Sequence, residues 1–348
     1  MSLRTGGTVP ETPLPLSVVV PTRGDAAKLS NLLDALDRQT LPRDRFEVIL
    51  ALDQAELSPE IRARVADAGI RTVRRPLRSG PGAARNCGAA AARGEFIAFT
   101  EDDVTPAPDW LERALARMSA DPSLDVVEGV TGKPGGRPVR RLDAGGPSWL
   151  PTNLFVRRAL FERVGGYHEG FFDPASGVYF REDSDFGFTL EEAGARIAGV
   201  PEVRVEHPDE HPRFLDPLRW ARRYGMDALL ATRHPRLFRE RIEVHRLGPF
   251  RFRRPVVRAA WVYVVATLGA LVASAFGRAD LVPALIVLAA AAFLPIWAKW
   301  RFSPLRLPVA LLVPFALVTA LVQGWLRVRA GANRAASTRS RPGTRART

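Results

Sequence analysis

Cysteine is all but missing from this chain of 348 residues: there is one, Cys87. A lone thiol cannot close an intramolecular disulfide, and a cysteine-built metal site is excluded with it. Lysine is also scarce. Nearly all of the 50 basic residues are arginine, and against 37 acids they leave a formal net charge of +13. That surplus suits nucleic acid, anionic lipid or phosphorylated substrates. The first twenty residues, "MSLRTGGTVPETPLPLSVVV", have no basic stretch followed by a long apolar one, so no secretory signal is expected. The last third of the chain lacks charge over long intervals.

Three uncharged runs stand there: "AAWVYVVATLGALVASAF" (259–276), "LVPALIVLAAAAFLPIWA" (281–298) and "PVALLVPFALVTALVQGWL" (308–326). A bilayer core of about 30 Å takes roughly 17–25 apolar residues in a helix, so the runs read as membrane helices. Arg251, Arg253, Arg254 and Arg258 precede the first run, and the positive-inside rule puts them in the cytoplasm. A third full span would export the tail from Arg327, which carries seven arginines and no acid. Either that run is re-entrant or interfacial, or it spans and the tail is an exception. Both choices leave the N-terminal part cytoplasmic, in a multi-pass protein of the cell membrane.

Earlier in the chain, short β-rich runs alternate with helical stretches. "LSVVV" (16–20), "FEVILAL" (46–52), "IRTVRR" (70–75) and "EFIAFT" (95–100) alternate with helices at Asp25–Gln39, Pro59–Ala68 and Ala83–Ala92. Such alternation predicts βαβ units around a mainly parallel sheet, with ligands at the carboxyl ends of the strands. Those ends carry polar residues: Thr22 and Arg23 after the first strand, Asp53 after the second, and Glu101, Asp102 and Asp103 after the fourth. Period-two geometry points Glu101 and Asp103 the same way, a fitting place for Mg²⁺ or Mn²⁺ carrying a diphosphate. A solvated turn before Pro106 is the plainer explanation of the same acids. "SGPGAARNCGAAAARG" (79–94) opens a helix whose start favours anions, with Arg85 in reach of phosphate. In "YFREDSDFGFTLEEAG" (179–194), Glu182, Asp183 and Asp185 occupy a first helical turn, where acids suit the helix dipole or supply a general base. His207 offers a ring nitrogen for a metal.

In this order the motifs resemble those of family 2 glycosyltransferases of the GT-A fold, from about Leu16 to Pro208. "SVVVPTRGD" is similar to the opening strand, "GPGAARNCG" to the Ala-Arg-Asn-x-Gly helix start, and "FIAFTEDDVTPAPDWL" to the strand with the Asp-x-Asp metal motif. "WLPTNLFVRRALFERVGGYHEGF", "REDSDFGFTL" and "VPEVRVEHP" resemble the acceptor segment, the base segment and the histidine-ended strand. The resemblance implies an α/β Rossmann-like catalytic domain followed by an α-helical transmembrane region. It implies inverting transfer from a UDP-, GDP- or dTDP-sugar to a lipid-linked or cell-envelope acceptor, with Mn²⁺ or Mg²⁺. Carried over by position, Thr22, Arg23, Asp53, Arg85, Glu101 and Asp102 would hold the nucleotide-sugar. Asp103 and His207 would bind the metal, Asp183 would be the base, and Trp149, Asn153 and Glu182 would line the acceptor side.

The departures are specific. Glu101 replaces the usual first aspartate, only Asp53 remains of an Asp-Asp-x-Ser segment, and Gly24 and Thr189 replace an asparagine and an arginine. "DPLRW" (216–220) lacks the first glutamine of the processive Gln-x-x-Arg-Trp motif, so one or a few additions are expected.

The expected domains are a disordered 1–15, a catalytic domain at 16–212, a basic amphipathic helical linker at 213–257, a membrane region at 258–326 and a basic tail at 327–348. The tail and linker arginines favour anionic lipids, and no nucleic-acid partner is expected. The alternatives are a catalytically inactive scaffold that binds sugar or lipid, or a sugar nucleotidyltransferase. The retained Asp103 and Asp183 speak against the first. The second needs a glycine-rich signature that "PTRGD" does not provide.

Overall fold

The computed structural model describes residues 14–134, 151–208, 213–247, 250–299 and 302–339. A mostly apolar run such as "LSVVV" has to be covered on both faces. It forms β1 (Leu16–Thr22), flanked in parallel by β2 (Phe46–Asp53), which is buried throughout, and by β4 (Phe96–Phe99). Outside β2 lies the parallel β3 (Arg71–Arg75). Helices α1 (Ala26–Asp37), α2 (Pro59–Asp67) and α3 (Gly80–Ala90) make the crossovers, as the alternating sequence predicts.

Past β4 the direction changes. Strand β7 (Leu154–Arg157) is antiparallel to both β4 and β6 (Val126–Gly132). Strand β10 (Ile197–Glu206) runs parallel to β6, and the two-residue β5 (Thr105–Pro106) covers its edge. The order in the eight-stranded sheet is β3-β2-β1-β4-β7-β6-β10-β5. Helices α4 (Trp110–Ala120), α5 (Arg158–Val164) and α6 (Glu182–Glu192) and the short strands β8 (Phe172–Asp173) and β9 (Val178–Tyr179) complete this stretch of chain.

Strand alternation divides the core in two. Val18 and Val20 join Leu32, Trp110 and Leu111 on one face, while Val19 joins Phe99, Phe161, Tyr167 and Phe186 on the other. On the second face α3 lies flush against β1: a Cβ added at Gly88 would come 2.4 Å from Val19 Cγ1. This explains the small residues of "GPGAARNCGAA".

The chain divides into two compact units, and Val178–Arg181 belong with the C-terminal one. In that unit α7 (Asp216–Arg223), α8 (Asp227–Arg233) and the one-turn α9 (Pro235–Leu237) are followed by the antiparallel strands β11 (Val244–Leu247) and β12 (Phe250–Arg253). The stretch expected to be helical to residue 257 is therefore corrected. "FRFR" alternates with period two, and a Gly-Pro pair separates it from the β-branched start of "VHRL", the pattern of paired strands rather than of a helix.

The apolar runs become α10 (Pro255–Ala275), α11 (Val282–Ala298) and α12 (Leu307–Arg339). Two helical stretches, Pro255–Ala275 and Pro304–Ala330, are long and apolar enough to cross a membrane, and Val282–Ala298 is shorter. Tyr263 of α10 ties the three together, with ring centroids 5.5 Å from Phe293 and 5.8 Å from Phe315. Alongside α12 runs the polar segment that includes α7. Arg306 Nη1 donates to the carbonyls of Arg213 and Phe214 at 3.2 and 3.3 Å, and a Cβ on Gly324 would meet Gly225 O at 2.1 Å. Buried Asp227 accepts from Arg181 Nε at 2.8 Å and from Arg254, the residue before α10.

Gly88→Val should cost about 2–3 kcal/mol, since the added atoms overpack the α3–β1 contact. The measure is the urea midpoint of the sheet unit, and an unchanged midpoint would refute the close packing.

Candidate active site

Asp25 begins the construction. Its carboxylate accepts from the amides of Ala27 and Lys28, both at 3.1 Å, and so starts α1 just beyond the end of β1. That start carries Lys28 over the end of β4, where its Nζ lies 2.8 Å from Asp103 Oδ2. Desolvation pulls Lys28 down, but the hydrogen bond to Asp103 and the charges of Asp103, Asp102 and Asp25 outweigh it, and its pKa is raised. Nothing in the sequence around Lys28 marks it, because its role depends on where α1 lies.

Beyond β4 the chain turns at Asp102 and Asp103, and the three acids divide between two neighbours. Asp102 turns toward β1, where Thr22 Oγ1 donates to its Oδ2 at 2.6 Å. Glu101 and Asp103 turn toward His207, which follows β10. His207 Nε2 is 3.6 Å from Asp103 Oδ1 and 3.9 Å from Glu101 Oε2. One ligand atom from each of Glu101, Asp103 and His207 lies within 4.8 Å of the other two. The His207 Nδ1 is 2.9 Å from the carbonyl of Pro208, which can only accept, so Nδ1 carries the proton. The lone pair of neutral His207 is then on Nε2, facing two carboxylates. Three electron-rich atoms facing one another fit a divalent cation, and the backbone carbonyl behind the ring fixes the tautomer as in metal-bound histidines. Asp103 meets the demand with a different oxygen from the one Lys28 holds. Glu101, expected beside the sugar nucleotide, thus stands with the metal-ligand set.

Arg85 of α3 is 1% exposed, and its Nη2 donates to Glu101 Oε1 at 3.0 Å. Its guanidinium lies over the Tyr167 ring, 5.4 Å from the centroid. Among the described residues its Nε and Nη1 have no acceptor, and neither does the buried Tyr167 hydroxyl. Buried N–H groups without partners are costly, so this cationic corner suits an oxygen-rich anion. Desolvation raises the pKa of Glu101 against the pull of Arg85. Desolvation also raises Asp102, against Thr22 and Lys28.

The second acidic group opens α6. Glu182 is 8% exposed, and desolvation together with the charge of Asp183 pushes its pKa up to about 7, against the pull of Arg85. Asp183 uses Oδ1 to accept from the amide of Ser184 at 2.6 Å. Asp185, at the same helix start, is buried.

Other expected site residues are placed differently. Both oxygens of Asp53 accept backbone amides at the start of α3, from Ser79 at 2.7 Å and Gly80 at 3.0 Å. Arg23 is exposed. Asn153 does not line an acceptor side. It is 1% exposed, its Oδ1 accepts from Trp110 Nε1 at 2.8 Å, and its Nδ2 donates to the carbonyls of Val130 and Val203, both at 3.0 Å. Its amide is fully spent on cross-linking β7 to its neighbours. Trp149 falls outside the described residues.

The raised pKa of Glu182 has a definite sign in stability. Between the usual carboxylate range and about 7 the folded protein holds a proton that the unfolded chain releases. Metal-free protein should therefore gain stability as pH falls from about 7 toward 4.5, and lose that gain above 7. Denaturant midpoints across that range should slope less in Glu182→Gln; equal slopes would contradict the shift.

Comparison with known proteins agrees with this geometry. The family model described as glycosyl transferase family 2 matches residues 17–187. A pre-mycofactocin glycosyltransferase of Mycobacterium tuberculosis is 31% identical over 242 residues, covering 63% of this chain and 48% of that protein. The chain thus spans about half the length of that relative. The glycosyltransferase AglE of Haloferax volcanii is 26% identical over 192 residues, covering 50% of this chain and 63% of its own. Among solved structures, the mannosyltransferase PcManGT from Pyrobaculum calidifontis, in complex with GDP-Man and Mn²⁺, superposes with a TM-score of 0.56 at 21% identity. The match covers 89% of this chain and 86% of that one, a likeness of fold. With its GT-A sheet and its ordered strand-end motifs, the chain belongs to glycosyl transferase family 2.

Proposed function

We propose that this chain is a metal-dependent, inverting glycosyltransferase that moves a sugar from a nucleotide-sugar to a lipid-linked or cell-envelope acceptor at the cytoplasmic face of a membrane. The observation that carries this reading is the Glu101–Asp103–His207 cluster beside the buried, half-partnered Arg85. Those three residues would hold Mn²⁺ or Mg²⁺, and the ion would supply Lewis-acid neutralisation of the leaving diphosphate.

The chain's own groups do the rest. Arg85 offers two buried N–H donors to donor oxygens, and Lys28 and Thr22 orient Asp103 and Asp102. Arg23 and Asp53, at the ends of β1 and β2, belong to the nucleotide side in this reading. Asp183 is the general base. The Ser184 amide fixes one of its oxygens and leaves the other to take the acceptor proton. Glu182, holding a proton near neutrality, spares Asp183 a second adjacent charge. A single base suits direct displacement with inversion, since no covalent enzyme intermediate needs a nucleophile.

Membrane attachment rests on α10 and α11, whose outward side chains include Val265, Leu268, Leu271, Ile286 and Val287. In this reading the arginines before α10 face the cytoplasm, as the positive-inside rule favours. The pre-mycofactocin relative and PcManGT are named for glycosyl transfer, which supports the reaction class and leaves donor and acceptor to experiment.

A screen of the purified protein with UDP-, GDP- and dTDP-sugars and Mn²⁺, read by released nucleotide, should identify one preferred donor; no release with any donor would sink the reading. Asp183→Asn should lower turnover by about a thousandfold with donor affinity nearly unchanged. Asp103→Ala should abolish the Mn²⁺ dependence of donor binding in calorimetry, and a persisting dependence would remove Asp103 from the metal site.

A further inference from the structure

A cavity of about 520 Å³ lies within the C-terminal unit between the first turns of α10 and residues 321–329 of α12. Part of its wall is apolar, with Val257, Leu321 and Leu326 among the lining residues, and two indoles, Trp261 and Trp325, flank it. Arg254, Arg258 and Arg329 also line it, against one acid, Glu243. Asp227 already answers Arg254. Arg258 and Arg329 have no acidic partner among the described residues, so the cavity keeps a surplus of positive charge.

The level of this cavity in a bilayer follows from α12. From Arg306 to Gly324 that helix, about 27 Å long, stays beside the polar segment 213–225. This segment includes Arg219, Arg222 and Arg223 and cannot enter hydrocarbon without stranding their charges. Helix α12 therefore lies along the interface, with Leu311, Leu312 and Val322 exposed. The α10–α11 hairpin is the part that inserts. The cavity opens where α10 leaves the headgroup layer, the depth at which tryptophan and arginine are favoured together.

We propose that this cavity holds the phosphate head of an anionic bilayer phospholipid, with Arg258 and Arg329 on the phosphate and the chains along Val257, Leu321 and Leu326. Apolar walls under a guanidinium rim match an amphiphile. A free anion would leave the walls dry, and a zwitterionic lipid would set its ammonium against the arginines. The inference rests on the membrane attachment argued above, and it keeps the arginines of α12 on the same side as those before α10.

The test uses the full chain, delipidated in non-ionic detergent and titrated with phosphatidylglycerol by native mass spectrometry. One tightly bound lipid is expected, with phosphatidylcholine and inorganic phosphate much weaker. Arg258→Gln with Arg329→Gln should weaken phosphatidylglycerol about thirtyfold, and Arg329→Gln alone, at an exposed helix position, about fivefold. Unchanged binding in both variants would overturn the assignment, as would equal binding of phosphatidylcholine. A site that takes only a polyprenyl phosphate would overturn the phospholipid. A carbonate wash separates this from the parent reading. Release of the unmodified chain from membranes without detergent would refute the attachment itself, whereas retention with unselective lipid binding refutes the cavity alone.

Discussion

Burial of carboxylates governs the sheet unit, and their mutual repulsion adds to it. Glu101, Asp102 and Asp103 at the end of β4 feel one another, and Glu101 also feels Glu182 at the start of α6. Each neighbouring element contributes an answer. Lys28 comes from α1, Thr22 from β1, Arg85 from α3 and His207 from the segment after β10. Even so, Glu101 and Asp102 stay raised, and Glu182 is pushed up to about 7. The fold takes these carboxylates out of water further than its own cations and donors compensate, a state favoured only where a cation or a proton completes it.

A second buried glutamate shows that this is not simply what burial does. Glu47, at the start of β2, accepts from Ser17 Oγ and the Arg93 amide, both at 2.7 Å, and pairs with Arg71 at 2.9 Å. Desolvation raises it, yet the Arg93 amide, Ser17 and Arg71 outweigh that, and its pKa is lowered. One end of the sheet saturates its buried acid and the other leaves acids wanting. The difference separates a structural carboxylate from one held ready for chemistry more clearly than burial does.

The alternating runs and the strand-end acids could be read in the sequence because both depend on near neighbours along the chain. The pairing of Glu101 with Asp103 could be read for the same reason, although the family pattern made Glu101 the weaker candidate. Lys28 could not be read, since its meaning arises only once α1 lies over β4. Asn153 misled because a motif position says nothing of Trp110, 43 residues away, which consumes its oxygen. The antiparallel β7 between β4 and β6 was hidden for the same reason, as strand order is a long-range property. The β11–β12 pair was overlooked in a stretch judged by its arginines rather than by its alternation.

The contact between Gly225 and Gly324 bears on the order in which the C-terminal unit can form during synthesis. Helices α7 and α8 leave the ribosome long before α12, and Ala221 and Tyr224 pack in the same cluster as Leu317, Val318 and Leu321. Until about a hundred further residues have been made, the α7 segment lacks the cover that Leu317, Val318 and Leu321 give it. The α10–α11 hairpin emerges in that interval, before the unit can close. The contact that joins the two ends of this unit is therefore among the last to form, however early its first half is made.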